Sequence, residues 1–220
     1  ENPIALYNIN PRIGMNIIHN KKWSGQYILL PQIASDLKGG GLKWHDIQIG
    51  VIGVMSYKKK ENLQYRFGLY YNSALYGTGS FLIAGMYYQN KKKDFSLDMA
   101  LPIWADANYK LSENWSCGFK LDAMIRSYYI NQPEFGTTDE YITRLTPDLY
   151  LYVQYTISKN YVIQLKAGHS ALRTYRMFEI GDKVDLGFSG INIGDNRTQL
   201  NTDILDGFMF QVRFHYRFYL

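Results

Sequence analysis

The sequence predicts an all-β fold: a transmembrane, antiparallel, up-and-down β-barrel of about ten strands, with eight or twelve strands as alternatives. Apolar and polar residues alternate with a period of two in many segments, which is typical of strands whose two faces meet different surroundings. Short polar turns alternate along the chain with longer connections, as in outer-membrane barrels. The chain is also rich in aromatic residues, with 20 Tyr, 11 Phe and 4 Trp, and Tyr and Trp favour membrane interfaces.

Length and composition indicate a single domain. The 220 residues fit one β domain over 1–220, in which residues 1–20 form an N-terminal extension or an additional strand. No run of 18 apolar residues occurs, so no transmembrane helix is predicted. The one cysteine, Cys117, excludes an intramolecular disulfide and a cysteine-based zinc site. Because the sequence starts at Glu1 rather than Met, we expect a processed mature form.

The net charge of +5 does not by itself indicate a nucleic-acid partner. The lysine runs at 58–60 and 91–93 lie in turn-like segments, where solvated side chains are the ordinary explanation. No nucleic-acid partner is therefore predicted.

The strands follow from the period-two segments. In chain order, they lie near 22–31, 42–56, 63–72, 80–89, 95–103, 115–126, 148–157, 161–168 and 208–220, and the tenth falls between the connections at 104–106 and 112–114. The alternation of Ile13, Met15 and Ile17 leaves a further strand open. The final strand is the clearest, because all its even positions are apolar. A soluble β-sandwich, the structural alternative, would need another layer to cover them.

The connections predict which end of the barrel faces which side of the membrane. Short polar turns fall at 57–62, 89–93, 112–114 and 158–160. The other connections are predicted at 74–80, 104–106, 131–140 and about 173–203. Counting back from the last strand places the short turns and both termini in the periplasm, and the long connections outside the cell.

The alternation places charged side chains on the inward face, where we expect a network in the lumen. Its members are Arg66, Asp98, Lys120, Asp122, Arg126, Arg144, Asp148, Lys166, Arg213, His215 and Arg217. A barrel of about ten strands is only a little wider than a filled eight-stranded one, so long side chains should plug most of it. Charges in such a space must pair or stay hydrated. The excess of cations over acids would favour anions if a path existed.

No catalytic site, metal site or cofactor is predicted. Gly168-His169-Ser170 invites comparison with lipid A deacylases, but neighbouring residues of a strand point to opposite faces, so His169 cannot activate Ser170. Asp182 and Asp185 invite comparison with outer-membrane aspartyl proteases, but no histidine lies near them and we interpret them as loop acids. The four histidines show no metal-ligand spacing.

The C-terminal run from Phe214 to Leu220 resembles the signal that the outer-membrane barrel assembly machinery reads, with Leu in place of the usual final Phe. The resemblance implies that the assembly machinery is a partner during insertion. It also implies that the residues read are Phe214, Tyr216, Phe218 and Leu220.

Three segments resemble an uncharacterised outer-membrane β-barrel family, a domain of unknown function common in Bacteroidota. They are residues 101–115, residues 195–201 and the closing segment from Asp206, within a likeness that covers roughly 60–220. The resemblance implies integration in a Gram-negative outer membrane and contact with its lipid. It brings no established activity.

Three functions remain open at this point. The favoured one is a structural or accessory barrel that binds envelope components or other outer-membrane proteins and has a largely plugged lumen. The alternative is a narrow channel or transporter for small anionic or amphipathic solutes. A lipid-modifying or proteolytic enzyme is the third, and it would need a cluster of Ser, His and acid that the sequence does not contain.

Overall fold

The computed structural model describes residues 5–38, 42–131, 139–158, 160–188 and 191–216. Its fifteen strands are β1 (Tyr7–Ile9), β2 (Ile13–Ile18), β3 (Trp23–Ser35), β4 (Ile47–Lys60), β5 (Leu63–Ala74), β6 (Gly77–Gln89), β7 (Phe95–Leu101), β8 (Trp104–Lys110), β9 (Trp115–Ile130), β10 (Glu140–Thr156), β11 (Tyr161–Ser170), β12 (Thr174–Glu179), β13 (Val184–Phe188), β14 (Ile191–Ile193) and β15 (Phe208–Tyr216). One turn of 3₁₀ helix, Trp44–Asp46, precedes β4. None of the described residues forms a helix long and apolar enough to cross a membrane. The all-β prediction is confirmed.

All fifteen strands belong to one sheet, whose order is β1-β3-β4-β5-β6-β7-β8-β9-β10-β11-β15. Strands that follow each other in this order pair antiparallel, as predicted. β2 continues β1 along β3 in an unchanged register, with Tyr7 opposite Ser35 and Ile13 opposite Leu29. The order therefore has eleven positions, because residues 7–18, which the sequence left open, add a strand to the predicted ten.

The interruption between β1 and β2 has a local cause. The shared register brings Pro11 opposite Pro31. Neither residue has an amide hydrogen, so neither can donate to the ladder, and the pairing stops there for a few residues.

Two further segments extend the sheet beyond its main path. β12 continues β11 along β10 with a one-residue shift in register. β13 pairs in parallel with the start of β6, where Val184 lies opposite Gly77, and antiparallel with β14. The prediction of one long connection at about 173–203 is therefore wrong for β12, β13 and β14. Because β7 ends at Leu101 and covers only the later part of β6, the rest of that edge is free to pair with β13.

The sheet has two ends, which we name the turn end and the loop end. The turn end holds the connections after β2, β4, β6, β8 and β10, and the loop end holds those after β3, β5, β7, β9 and β11. Tyr7 lies at the loop end beside Ser35, whereas Tyr216 lies at the turn end opposite Tyr161. The described residues thus begin and end at opposite ends of the sheet. The sequence analysis placed both termini on one side, because it did not count the strand over 7–18.

Two predicted connections at the loop end are wrong. Residues 74–80 reduce to the two-residue turn 75–76, because Gly77 adopts a φ of +114° that lets the chain reverse tightly. Residues 104–106 lie in β8, and the turn is formed by residues 102–103 instead. Aspartate is uncommon in strands, but Asp106 has interior partners, described below, that satisfy its carboxylate.

The two faces of the sheet differ, and we name them the exterior and the interior face. On the exterior face of β10 and β11, Leu151 is 68% and Leu165 is 55% exposed. On the interior face of the same strands, Tyr152 is 4% and Lys166 is 3% exposed. β15 keeps the alternation, and its exposed exterior residues are Phe208, Phe210, Val212 and Phe214.

The sheet curves back on itself at the loop end. Ser35 of β3 forms a parallel bridge with Tyr129 of β9, although five strands separate β3 from β9 in the order. In a flat sheet, six strand spacings of roughly 4.8 Å would hold these two strands about 29 Å apart. The strands between them must therefore curve around the interior face.

Aromatic side chains follow the exterior face along the turn end. Each of the ten strands β3 to β11 and β15 contributes one, and together they are Trp23, Tyr57, Tyr65, Tyr88, Phe95, Tyr109, Trp115, Tyr155, Tyr161 and Tyr216. Neighbours pack together, as in Trp115 with Tyr155, whose ring centroids lie 4.7 Å apart, and Tyr161 with Tyr216 at 4.9 Å. We name these side chains the aromatic belt.

Candidate functional site: the interior face and the loop end

An ion pair joins β5 to β7 on the interior face. The Arg66 guanidinium on β5 contacts the Asp98 carboxylate on β7, and both residues belong to the predicted network. Trp104 donates a hydrogen bond from Nε1 to Asp98 Oδ1 over 3.2 Å. The side chains remain 18% and 43% exposed, so solvent screens the pair and it contributes less than a fully buried one.

Lys120 of β9 is the centre of a second group. Its Nζ lies 3.8 Å from Asp122 Oδ1 and 4.0 Å from Asp106 Oδ2. Tyr152 donates its hydroxyl to Asp106 Oδ1 over 2.7 Å and accepts a hydrogen bond from Asn108 Nδ2 over 2.8 Å. This group links β8, β9 and β10 across the interior face.

Sequence reasoning missed two members of that group. Asp106 was not included in the predicted network because residues 104–106 were interpreted as a connection, and Asn108 was not included because that network contains only ionisable side chains. The signal was present, since both residues alternate with Ala105 and Ala107 and so share one face of a strand.

Gly118 allows Tyr152 to reach this group. A Cβ atom at residue 118 would lie 2.5 Å from the Tyr152 hydroxyl and 2.3 Å from the carbonyl oxygen of Ala107. We therefore expect Gly118→Val to lower the free energy of unfolding by about 1–3 kcal/mol, the usual cost of overpacking, measured by urea titration in lipid vesicles. Gly181→Val is the control, because nothing lies within 4 Å of a Cβ there. Equal unfolding midpoints for both variants would contradict the packing of Tyr152 over Gly118.

Four further members of the predicted network form no ion pair with another described residue: Arg126, Arg144, Asp148 and Lys166. Lys166 Nζ lies 4.9 Å from the centroid of the Tyr150 ring, and the Arg144 guanidinium lies 5.2 Å from that of Tyr175. Among the described residues, four buried polar atoms of this network find no hydrogen-bond partner: Arg126 Nε, Arg144 Nε, Asp148 Oδ1 and Lys166 Nζ. Buried polar groups of this kind are satisfied by water. We therefore expect water on the interior face between β9, β10 and β11.

The remaining predicted residues belong to the last strand. Arg213 lies on the interior face opposite Gln164, and His215 follows on the same face. Phe214 and Tyr216 of the predicted assembly signal are exposed on the exterior face. Arg217, Phe218 and Leu220 lie outside the described residues.

A cavity of about 660 Å³ occupies the turn end of the interior face. Its lining includes Asp98, Asp106, Lys120, Tyr152 and Gln164. Members of both charged groups thus line the cavity, and the turn residues 112–114 are also part of its lining.

Polar contacts cross the loop end. Asn131 donates to Asp36 Oδ1 from its backbone N over 3.1 Å and from Nδ2 over 2.9 Å, and Nδ2 also contacts Ser35 Oγ at 2.8 Å. Ser127 donates its hydroxyl to Gln48 Oε1 over 2.7 Å, and Gln48 Nε2 donates to the Ser127 carbonyl over 3.0 Å. These bonds join the ends of β3 and β4 to the end of β9 across the interior.

An apolar cluster fills the loop end beside these contacts, and we name it the loop-end cluster. Its members, none more than 8% exposed, are Tyr76, Tyr141, Phe178 and Val184. The ring centroids of Tyr141 and Phe178 lie 5.6 Å apart, and the Tyr141 hydroxyl donates to the Asp182 carbonyl. Sequence reasoning did not identify this cluster, because its four residues come from four separate segments.

Arg197, in the connection between β14 and β15, contacts the loop-end cluster. Its Nε and a terminal nitrogen contact the two Asp195 oxygens at 2.7 and 2.8 Å, and the guanidinium lies 4.4 Å from the centroid of the Phe178 ring. Asn201 then pairs with β12, accepting from Met177 N and donating to the Tyr175 carbonyl, each over 2.8 Å. Residues 195–201, which the sequence singled out, are thus held against the sheet.

The Asp195 contact predicts how this connection responds to acid. The hydrogen bond from Arg197 lowers the pKa of Asp195 to about 2, from an ordinary value of about 3.9. The pairing therefore adds stability above pH 4, and its contribution is lost as the pH falls through about 2. After Cys117→Ser, a fluorescent probe at the exposed Ile193→Cys should report loosening only in that acidic range. In Arg197→Leu the pKa should return towards its ordinary value, and an unchanged acid transition would contradict the contact.

The residues considered for catalysis do not form a catalytic arrangement in the described structure. Ser170 is fully buried on the interior face, whereas the His169 ring packs against Phe208 on the exterior, with ring centroids 5.0 Å apart. The Asp182 carboxylate accepts a hydrogen bond from the backbone N of Thr198 over 3.2 Å. Within the described ranges, no group of three His, Cys, Asp or Glu residues could hold a metal ion.

Comparison with known proteins identifies a family but no characterised relative. A family model described as Domain of unknown function (DUF6268) matches residues 3–183, which include β1 to β12. No curated protein and no solved structure matches the chain significantly. The match extends further towards the N-terminus than the likeness seen in the sequence, and it confirms the prediction of an uncharacterised family. The chain belongs to the DUF6268 family of domains of unknown function.

Proposed function

We propose that this protein is an integral β-barrel of a Gram-negative outer membrane, with a structural or accessory role and an interior that is closed at the loop end. The sequence resemblance points to Bacteroidota as the source. The aromatic belt is the observation that carries the proposal. Outer-membrane barrels have girdles of aromatic residues at the membrane interfaces, and here ten consecutive wall strands, β3 to β11 and β15, each contribute one such residue at the same end.

The exterior face above the belt supports a lipid contact. Its apolar residues are widely exposed, among them Leu69 at 45%, Leu82 at 58%, Leu151 at 68% and Phe210 at 84%. A monomeric soluble protein rarely exposes so continuous an apolar surface. Contact with outer-membrane lipid explains both this surface and the charged interior behind it.

The closure of the loop end favours a structural role over transport. The Asn131 and Gln48 contacts and the loop-end cluster lie between the turn-end cavity and the other end of the sheet. A narrow path for small anionic or amphipathic solutes is the second candidate. The observation in its favour is that Lys166 Nζ and Arg126 Nε have no hydrogen-bond partner among the described residues. No arrangement of described residues favours an enzyme.

The accessory role draws support from apolar side chains on the loop-end connections. Leu172 is 77%, Ile204 is 45% and Leu205 is 85% exposed. These residues lie between strands rather than on the exterior face, so membrane lipid does not account for their exposure. They suit contacts with envelope components or other outer-membrane proteins.

Reconstitution into planar bilayers tests this proposal. We expect the purified chain to insert into phospholipid vesicles, to show a heat-modifiable gel shift and to give no sustained conductance steps. Stable anion-selective steps would favour the transport candidate instead. A chain that stays in the aqueous phase and never floats with vesicles would contradict the membrane assignment itself.

Orientation is tested by cysteine labelling on intact cells after Cys117→Ser. We expect an impermeant maleimide to label Asn192→Cys at the loop end and to leave Lys59→Cys and Lys92→Cys at the turn end unlabelled. The reverse pattern would place the turn end outside the cell.

A further inference from the structure

Lys166 of β11 is a buried cation that forms no ion pair with another described residue. It is 3% exposed, and its Nζ has no hydrogen-bond partner in the part of the chain that the structure describes. The face of the Tyr150 ring, whose centroid lies 4.9 Å from Nζ, attracts the ammonium group but carries no net charge. Water can accept its hydrogen bonds, but an unpaired charge inside a protein remains costly.

The charges around Lys166 leave an excess of positive charge. The charged groups that act on it most strongly are the cations Arg213 and Lys120 and the acids Asp122 and Asp106. Both acids lie within 4.0 Å of Lys120 Nζ, so Lys120 is the cation that they neutralise. With Lys166 included, three cations face two acids. The negative charge of one bound anion would complete the balance.

The neighbouring strand places an unsatisfied acceptor beside this cation. Gln211 of β15 lies directly opposite Lys166, and its Oε1 is buried without a hydrogen-bond donor among the described residues. Opposite residues on one face of an antiparallel pair have Cβ atoms about 5 Å apart. A carboxylate with a hydroxyl group on the adjacent carbon would satisfy both residues, because the carboxylate accepts from Nζ and the hydroxyl donates to Oε1.

The turn-end cavity extends to the neighbours of Lys166. Its lining includes Tyr152, which lies directly opposite Lys166 on β10, and Gln164, which precedes Lys166 on the interior face of β11. The volume of about 660 Å³ lies within the range of about 300–1,000 Å³ that small-molecule sites occupy. Hydroxyl and amide side chains are frequent in the lining, among them Ser96, Asn108, Asn114, Ser116, Gln154 and Thr156. Such a lining suits a ligand that carries several hydroxyl groups.

We propose that Lys166 and Gln211 bind a polyhydroxylated carboxylic acid of the sugar-acid class at the inner end of the turn-end cavity. The Lys166 ammonium group binds the carboxylate, Gln211 Oε1 accepts from the adjacent hydroxyl, and the rest of the hydroxylated chain lies in the cavity. Arg213, two residues after Gln211 on the same face, adds positive potential that attracts the anion. A closed interior can hold such a ligand, so the site goes beyond the structural role proposed above and does not depend on transport.

Calorimetric titration of the folded full chain in detergent micelles tests this site with three matched four-carbon probes. Threonate carries the carboxylate and the hydroxyl groups, threitol has a hydroxymethyl group in place of the carboxylate, and butyrate keeps the carboxylate but lacks the hydroxyls. We expect threonate to bind at one site per chain and threitol not to bind. Butyrate should bind about fivefold more weakly than threonate, because it lacks the hydrogen bond to Gln211.

Two variants assign the contacts to their residues. Lys166→Met keeps a long side chain without the charge, and it should lower the affinity for threonate and for butyrate by about tenfold or more, since a charge-assisted hydrogen bond is lost. Gln211→Leu should lower the affinity for threonate to that for butyrate and leave butyrate binding unchanged. Lys92→Met is the control, because Lys92 is an exposed lysine in a connection at the turn end, and it should bind threonate as the parent does.

The contrary results are distinct. Absence of binding by both acids, or equal affinities for threitol and threonate, would overturn the proposal. Parent-like threonate binding in Lys166→Met and Gln211→Leu would place the bound acid elsewhere, and tighter binding of inorganic phosphate than of threonate would contradict the carboxylate assignment. If Lys166→Met does not fold, the comparison of threonate with butyrate in Gln211→Leu decides the question. Vesicle flotation is a separate measurement, so failure of the membrane proposal is distinguishable from failure of this site.

Discussion

Replacing Leu151 with arginine is expected to lower the free energy of unfolding in lipid by about 2–4 kcal/mol, the cost of a cation at the bilayer midplane on the lipid face of a barrel. Leu151 lies on the exterior face of β10, between Phe119 of β9 and Ala167 of β11, and is 68% exposed. In water, a substitution at such an exposed site changes stability by less than about 0.5 kcal/mol. The size of the loss therefore reports which solvent contacts the exterior face.

Leu205→Arg is the matched control for that measurement. Leu205 is 85% exposed, but it lies in the connection between β14 and β15, away from the exterior face. Urea titration of both variants in the same lipid vesicles should show a loss for Leu151→Arg alone. If both variants unfold at the parent midpoint, the exterior face does not lie in hydrocarbon and the membrane assignment is wrong.

The wall strands could be predicted from the sequence because their environment imposes a local rule. An apolar exterior face and a polar interior face place opposite demands on neighbouring residues, so each strand carries its own signal. β15 shows this best, because Phe210 and Phe214 alternate with Gln211 and Arg213. The charged interior positions follow from the same alternation, and the pair of Arg66 and Asp98 joins two residues found in this way.

The loop end could not be predicted, because the contacts that build it join distant parts of the chain. Gln48 and Ser127, which form hydrogen bonds across it, are 79 residues apart. Tyr76 and Val184 meet only because β13 pairs with the edge of β6 that the short β7 leaves free. No period within either segment encodes such a contact. The strand over 7–18 was ambiguous for a different reason, since Pro11 interrupts its pattern.

Replacing Tyr141 with alanine is expected to cause the second large loss in the free energy of unfolding, because Tyr141 contacts residues from separate segments of the loop-end cluster. Tyr141 is fully buried, packs on Phe178 and donates its hydroxyl to the Asp182 carbonyl. Removing a buried aromatic side chain lowers the free energy of unfolding by about 3–5 kcal/mol, depending on how far neighbouring residues move into the cavity that is left. Tyr141→Phe keeps the ring and loses one hydrogen bond, so its cost should be only about 0.5–1.5 kcal/mol.

The same pair of variants tests whether the loop-end cluster is what blocks the interior. Arg126 and Lys166 follow the cavity-lining residues Lys120 and Gln164 along β9 and β11 towards the loop end, so loosening the loop-end cluster should open a path past them. We expect Tyr141→Ala to admit protease cleavage within residues 184–205 and to produce conductance steps in planar bilayers, with Tyr141→Phe as silent as the parent. Conductance in the parent, or a silent and protease-resistant Tyr141→Ala, would mean that the cluster is not the barrier. The Asn131 and Gln48 contacts would then be the next ones to remove, because they cross the interior at the same end.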